Sequence, residues 1–112
     1  RWIDAEIAKP ASLLNPAVEA AYPNPVPTGF NIASLNAVRV EKWFENTLRG
    51  NDQLRQRVAF ALSQIIVVSQ VGALQNLPNA TADFYDLLAR GAFGNYRDLL
   101  RDVTLHPAMG VY

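Results

Sequence analysis

The run from Asn51 to Gln70, NDQLRQRVAFALSQIIVVSQ, limits how this chain can fold more than any other stretch. Asn51 or Asp52 can cap a helix there, and Gln53, Arg55, Gln56 and Arg57 make its first turn polar. From Val58 onward Val, Ala, Phe, Leu and Ile cover almost every side. Such a surface needs enclosing, because leaving it in water forfeits the main driving force for folding. The run is therefore expected to be a core helix jacketed by its neighbours. The cluster Ile65-Ile66-Val67-Val68 carries the one local preference for strand, at the end of a helical pattern.

Helical spacing recurs on both sides of this run. RWIDAEIAKP reads as a short amphipathic helix ending before Pro10, and Asn15 to Ala21 as a second, with Asn15 as cap and Pro16 in the first helical position. Pro23, Pro25 and Pro27 remove three backbone donors, so Tyr22 to Asn31 is expected to be an extended loop, with Tyr22 and Phe30 packing it on the body. Ser34 can cap LNAVRVEKWFENTLR, in which Leu35, Ala37, Val38, Phe44 and Leu48 form the expected apolar face, widened by Trp43. Gly50 stops that helix and makes a tight corner to the next, antiparallel one. Asn79 or Thr81 begins a further helix with Phe84, Leu87 and Leu88 on one side and Asp86 placed to pair with Arg90. Asn95 begins another, with Tyr96, Leu99, Leu100 and Val103 on one face, and Pro107 suits the start of a last helix.

These patterns predict an all-α fold, a compact bundle of about five to six short-to-medium helices. Residues 1–33 hold the short helices and the Pro-rich loop, and 34–112 the helical core, within a single helical domain or part of a larger one. Arg1 in place of Met, and a last helix that starts only at Pro107, lead to the expectation of a portion of a longer protein. Half the residues are hydrophobic and 18% are charged, a composition able to fold. With 10 basic and 10 acidic side chains the net charge is zero, so no global field recruits nucleic acid or an anionic membrane. Val58 to Val68 is too short and too interrupted to cross a bilayer. No cysteine is present, which removes disulfides, thiolate nucleophiles and thiolate metal sites together.

Few residues offer chemistry, and each has a structural reading beside the functional one. His106, the only histidine, could act as general acid or base with Asp102 holding its ring, but a residue before Pro107 more often caps a helix junction. Arg49, Arg55 and Arg57 surround the Gly50 corner and could hold a phosphate at a helix start; one glycine is too few for that, and Arg57 bonded to neighbouring carbonyls or a carboxylate is the preferred reading. Asp83, Asp86, Asp98 and Asp102 could serve carboxylate catalysis, yet their spacing reads as solvated helix acids. Trp2, Trp43, Phe84 and Tyr85 read as core side chains rather than stacking platforms for bases. No catalytic, cofactor-binding or metal-ligating set is assigned, and whether the chain belongs to an enzyme stays open.

The phrases WIDAEIAKPAS, NDQLRQRVAFALSQIIVVS and NYRDLLRDVTLHPAMGVY, in that order and spacing, resemble a bacterial family known as domain of unknown function 1800. The resemblance spans essentially the whole chain. It implies the N-terminal portion of a longer, mostly helical protein, of periplasmic or extracellular origin, and brings no activity with it. Many members carry a Trp-His-Asn-His-like stretch where this chain reads Leu62-Ser63-Gln64-Ile65. Histidine chemistry in that stretch is therefore denied to Ser63 and Ile65. A second recurrent motif, an Asn-Glu-rich helix, would follow Tyr112. The leading expectation is a scaffold or interaction portion that packs on the remainder of its own chain, with self-association through apolar surface as a further possibility. The competing one is an accessory wall of a hydrolytic enzyme, to which Arg57 or His106 contributes.

Overall fold

A computed structural model describes residues 1–112. Seven α-helices follow one another without a strand: α1 Trp2–Ala8, α2 Asn15–Ala21, α3 Leu35–Arg49, α4 Gln53–Ile65, α5 Pro78–Arg90, α6 Tyr96–Leu105 and α7 Pro107–Val111. A 3-10 turn, Ile32–Ser34, leads into α3. The all-α expectation holds, with the count raised by very short helices. The Pro-rich loop is nonhelical, and its Tyr22 and Phe30 pack on the body as expected.

The centre of the fold is α5, not α4. Pro78, Thr81, Ala82, Phe84, Asp86, Leu88 and Ala89 of α5 are buried, whereas α4 buries only Gln56 and Ala59. Helices α2, α3, α4, α6 and α7 all pack on α5. The helix also joins two apolar clusters. Phe84 and Leu88 meet Leu74, Leu99, Val103 and Ala108 on one side, and Ala82 meets Leu14, Val18 and Leu35 on the other. The expected jacket around α4 is absent: Phe60 is half exposed and Ile65 is 70% exposed. Nor does α4 reach Gln70. It ends at Ile65, where four consecutive β-branched residues begin, each of which loses side-chain freedom in a helix. Ile66 and Val68 then turn back onto the Phe84 cluster in nonhelical backbone.

Burial on α3 also departs from its pattern. Leu35, Asn36 and Asn46 are buried, while Val40, Phe44 and Leu48, four residues apart, lie outside at 39%, 52% and 75% exposure. The buried amides have partners that explain the exchange. Asn36 Nδ2 donates to Ala33 O and to Gln75 O at 2.9 Å, tying the 72–77 connection to α3, and Asn46 Nδ2 donates to Leu13 O at 3.3 Å. Leu35, Val38 and Trp43 pack on the core cluster on the inward side, and these amide hydrogen bonds, together with that packing, set the rotation of α3.

Helix starts are less regular than the capping residues suggest. Leu14 and Leu77, rather than Asn15 and Asn79 or Thr81, hold the N-cap positions of α2 and α5, so Pro16 and Pro78 sit in the first turn, where a missing N–H costs nothing. Ser34 precedes α3 but donates its hydroxyl to Asn31 O, while Asn31 caps the 3-10 turn through Ala33 N–H. Asn95 does cap α6, accepting from Arg97 and Asp98 N–H. Gly50 ends α3 with φ −61°, so its backbone is open to any residue; space is what requires glycine. A Cβ there would lie 2.5 Å from Asn46 O and 3.0 Å from Asp52 Oδ1. Gly50→Ala should therefore destabilise the chain by about 1–3 kcal/mol, read as a lower urea midpoint with unchanged slope.

Candidate functional site

Side chains from three helices grip the segment between α1 and α2. Asp52 is fully buried and accepts from Ser12 N–H and Ser12 Oγ, both at 2.7 Å, and from Gln56 Nε2 at 3.1 Å. Gln56 also donates to Ser12 O at 3.0 Å. Asp86, 1% exposed, accepts Leu14 N–H at 2.6 Å on one oxygen and Asn15 N–H at 2.8 Å on the other. The two carboxylates titrate in opposite directions. Burial alone would raise Asp52, but its hydrogen bonds from Ser12 and Gln56 outweigh that and hold it below the usual carboxylate range. Burial wins at Asp86, pushing it up to about 6 against the pull of the Asn15 and Leu14 amides and of Arg90. Asp86 is thus no solvated helix acid. Its partners are backbone amides, while Arg90 lies 4.0 Å from Asp83. This clamp is structural, since every carboxylate oxygen is occupied by the protein's own donors.

His106 and the arginines resolve into similar structural roles. His106 Nδ1 accepts Ala108 N–H at 3.1 Å and caps α7, which assigns the ring proton to Nε2. That nitrogen meets Asp83 Oδ2 at 2.7 Å, so Asp83 on α5, rather than the exposed Asp102, orients the ring. With both nitrogens engaged and the ring buried against Phe84, His106 is not placed to exchange protons with a substrate. Among the corner arginines, Arg55 is the one bonded to carbonyls. Its guanidinium donates to Ala89 O at 2.8 Å and to Arg90 O and Ile7 O at 3.3 Å, and lies 4.8 Å over the Phe93 ring. It thereby satisfies the last carbonyls of α5 and ties α1 to it. Arg49 and Arg57 are exposed. A phosphate at this corner would also face the Asp52 carboxylate, which opposes the anion reading. Asp98 and Asp102 are solvated, each near Arg101.

Of several surface concavities, one combines apolar wall with a half-buried arginine. A cleft of about 360 Å³ opens between α3, the end of α4 with the backbone that follows it, and α5. Ile66, Val68, Phe84 and Leu88 supply apolar wall, and Arg39 and Tyr85 supply its titratable groups. Arg39 donates through Nη2 to Gln70 Oε1, its Nε is buried without a partner, and no carboxylate lies within salt-bridge reach. Burial lowers its pKa from the ordinary arginine value. Tyr85 accepts Trp43 Nε1–H at 2.9 Å; burial raises its pKa, that bond pulls the other way, and the nearby Asp86 charge adds a smaller rise. In the sequence Tyr85 reads as a core side chain, and Arg39 carries no motif. The signal for Arg39 is its position: four residues after buried Leu35 and four before Trp43, on an inward-facing line of α3.

A family model described as "Protein of unknown function (DUF1800)" matches residues 1–112, the whole chain. The chain belongs to this family. No curated protein and no solved structure matches it. Ser63 and Gln64 are on the lining of the cleft. Ser63 Oγ donates to Phe60 O at 2.6 Å and accepts Gln64 Nε2 at 3.3 Å, so the pair is spent locally. No group of three or more His, Asp or Glu side chains is arranged to hold a metal ion. No helix is long and apolar enough to cross a membrane.

Proposed function

We propose that this DUF1800 chain is a helical packing portion of a longer, exported bacterial protein, and that α3 is the face on which the rest of that protein sits. The stripe Val40, Phe44 and Leu48 carries this reading. It runs along one side of α3, flanked by Glu41, Lys42, Glu45 and Arg49, which gives the apolar centre and charged rim of a protein interface. Isolated apolar residues on a surface need no explanation, whereas three in register on one helix face do. The competing reading, an accessory wall of a hydrolytic enzyme, has less behind it. His106 is bonded through both ring nitrogens, to Asp83 of α5 and to Ala108 N–H, and Arg57 lies with Trp43 and Phe60 on a different part of the surface.

Hydrogen exchange tests the proposal by comparing this chain alone with the longer protein. Amides of α3 should gain protection of at least about tenfold in the longer protein, and Phe44→Lys should abolish the gain. Equal protection in both would refute the reading. Sedimentation of the chain alone separates the other occupant: association that rises with concentration and is lost in Phe44→Lys would assign the stripe to a second copy instead.

A further inference from the structure

The cleft between α3 and α5 holds hydrogen-bond donors with no acceptor to receive them. An arginine has five N–H donors. At Arg39 the protein supplies one acceptor, Gln70 Oε1; Nη1 has none and is not sealed from solvent, in contrast to Nε. The Tyr85 hydroxyl accepts from Trp43 and has no protein acceptor for its own proton. Neither Asp nor Glu lines the cleft, and the hydroxyl of Ser63 is already committed to Phe60 O. A half-buried cation without a counter-ion is costly, and an incoming anion offsets that cost. The rest of the lining is Gln64, Ser69 and Thr81 together with an apolar part, Ile66, Val67, Val68, Phe84 and Leu88. Phe84 and Leu88 are core residues of α5, and Ile66 and Val68 pack against the same cluster.

We propose that this cleft binds a small organic carboxylate with an apolar body, its carboxylate on Arg39 and Tyr85 and its body on Ile66, Val67, Val68 and Phe84. Arg39, with a free Nη1, and Tyr85, with an unbonded hydroxyl proton, both line the cleft and offer N–H and O–H donors suited to the two oxygens of a carboxylate. One cation is too little for a phosphate dianion or a nucleotide, and about 360 Å³ is near the lower limit for ligand sites, which restricts the body to a single ring or a short chain. Cations are disfavoured, since Arg39 is the charged residue of the lining. This site is distinct from the packing face of α3, and neither proposal depends on the other.

Titration of the isotopically labelled 112-residue chain with sodium hexanoate, followed by amide chemical shifts, tests the inference. Saturable shifts are expected at Val68, Ser69 and Tyr85, with hexan-1-ol binding at least about tenfold more weakly and inorganic phosphate producing no saturation there. Arg39→Gln should weaken hexanoate about tenfold or more while leaving hexan-1-ol unchanged. Tyr85→Phe should weaken it about threefold, and Arg39→Lys should fall between wild type and Arg39→Gln. Should Arg39→Gln not fold, Val67→Trp provides a second variant, because Val67 lines the cleft yet is 54% exposed, and the indole should block entry. The inference is overturned by hexanoate shifts that do not saturate, by hexan-1-ol binding as tightly as hexanoate, by phosphate saturating the same amides, or by hexanoate binding that survives in the folded variants.

Discussion

Asp52→Ala should destabilise this chain by about 3–5 kcal/mol, the largest effect of any single truncation considered for it. The carboxylate is fully buried, and three donors converge on it: Ser12 N–H, Ser12 Oγ–H and a Gln56 Nε2–H. Alanine leaves these in the interior with nothing to accept them, and the backbone N–H cannot rotate away. A charged acceptor makes the loss larger than for a neutral pair. Ser12→Ala removes one donor together with its need for a partner, so about 1 kcal/mol is expected there. The ratio between the two variants is informative. If Asp52 were merely the helix cap that its sequence position suggests, alanine would cost about 1 kcal/mol, and Ser12→Ala nothing. Urea unfolding of both variants distinguishes these outcomes, and a near-equal small loss would remove the clamp from the account.

Asp52 and Asp86 also mark where the sequence is legible and where it is not. Helix existence is readable, because Pro, Gly and apolar spacing act locally: α1 before Pro10, α3 before Gly50 and α6 after Asn95 all form as their patterns require. Burial is less readable, because it depends on which helices meet. The run after Val58 is apolar enough for a core, yet α5 takes the central position by pairing small and large residues, Ala82 and Ala89 beside Phe84 and Leu88, which let five helices approach it. The polar clamp hides for a related reason. Asp86 sits four residues after Ala82 and three before Ala89, on a buried line of α5, and that spacing is the one local sign that it faces inward. Asp52 carries no such sign, since its partner Ser12 is 40 residues away. Arg55 and Arg57 likewise differ by two positions on one helix, and only the placement of α1 and α5 decides that Arg55 finds carbonyls. The cleft residue Arg39 shows its place through Leu35 and Trp43, but its lack of a counter-ion is a tertiary fact.

Acidification from pH 8 to pH 5 should make the wild-type chain more stable, by about 1–2 kcal/mol through Asp86 after allowance for solvent screening. Asp86 is raised in the folded state from 3.8 to about 6. The folded chain therefore binds the proton more tightly than the unfolded one. By linkage, that stabilisation is fully present below about 3.8 and is lost as pH rises through about 6. Desolvation of the carboxylate is the main cause, and the Leu14 and Asn15 amides offset only part of it. Asp52 acts in the opposite sense: its depressed pKa gives stability that is present above the ordinary carboxylate value and lost as pH falls through the folded one. The two carboxylates together place the most stable range between roughly pH 4 and 6, below neutrality. Asp86→Asn isolates the first effect, because its neutral amide has the shape of the protonated acid. Every other titrating group is common to both proteins and cancels in the difference. The urea midpoint of wild type relative to that of Asp86→Asn should rise as pH falls from 8 to 5, with several degrees of accompanying change in Tm. A difference that is flat over this range, or that shifts in favour of Asp86→Asn on acidification, would mean that the Leu14 and Asn15 amides outweigh burial and that Asp86 is an ordinary ionised latch.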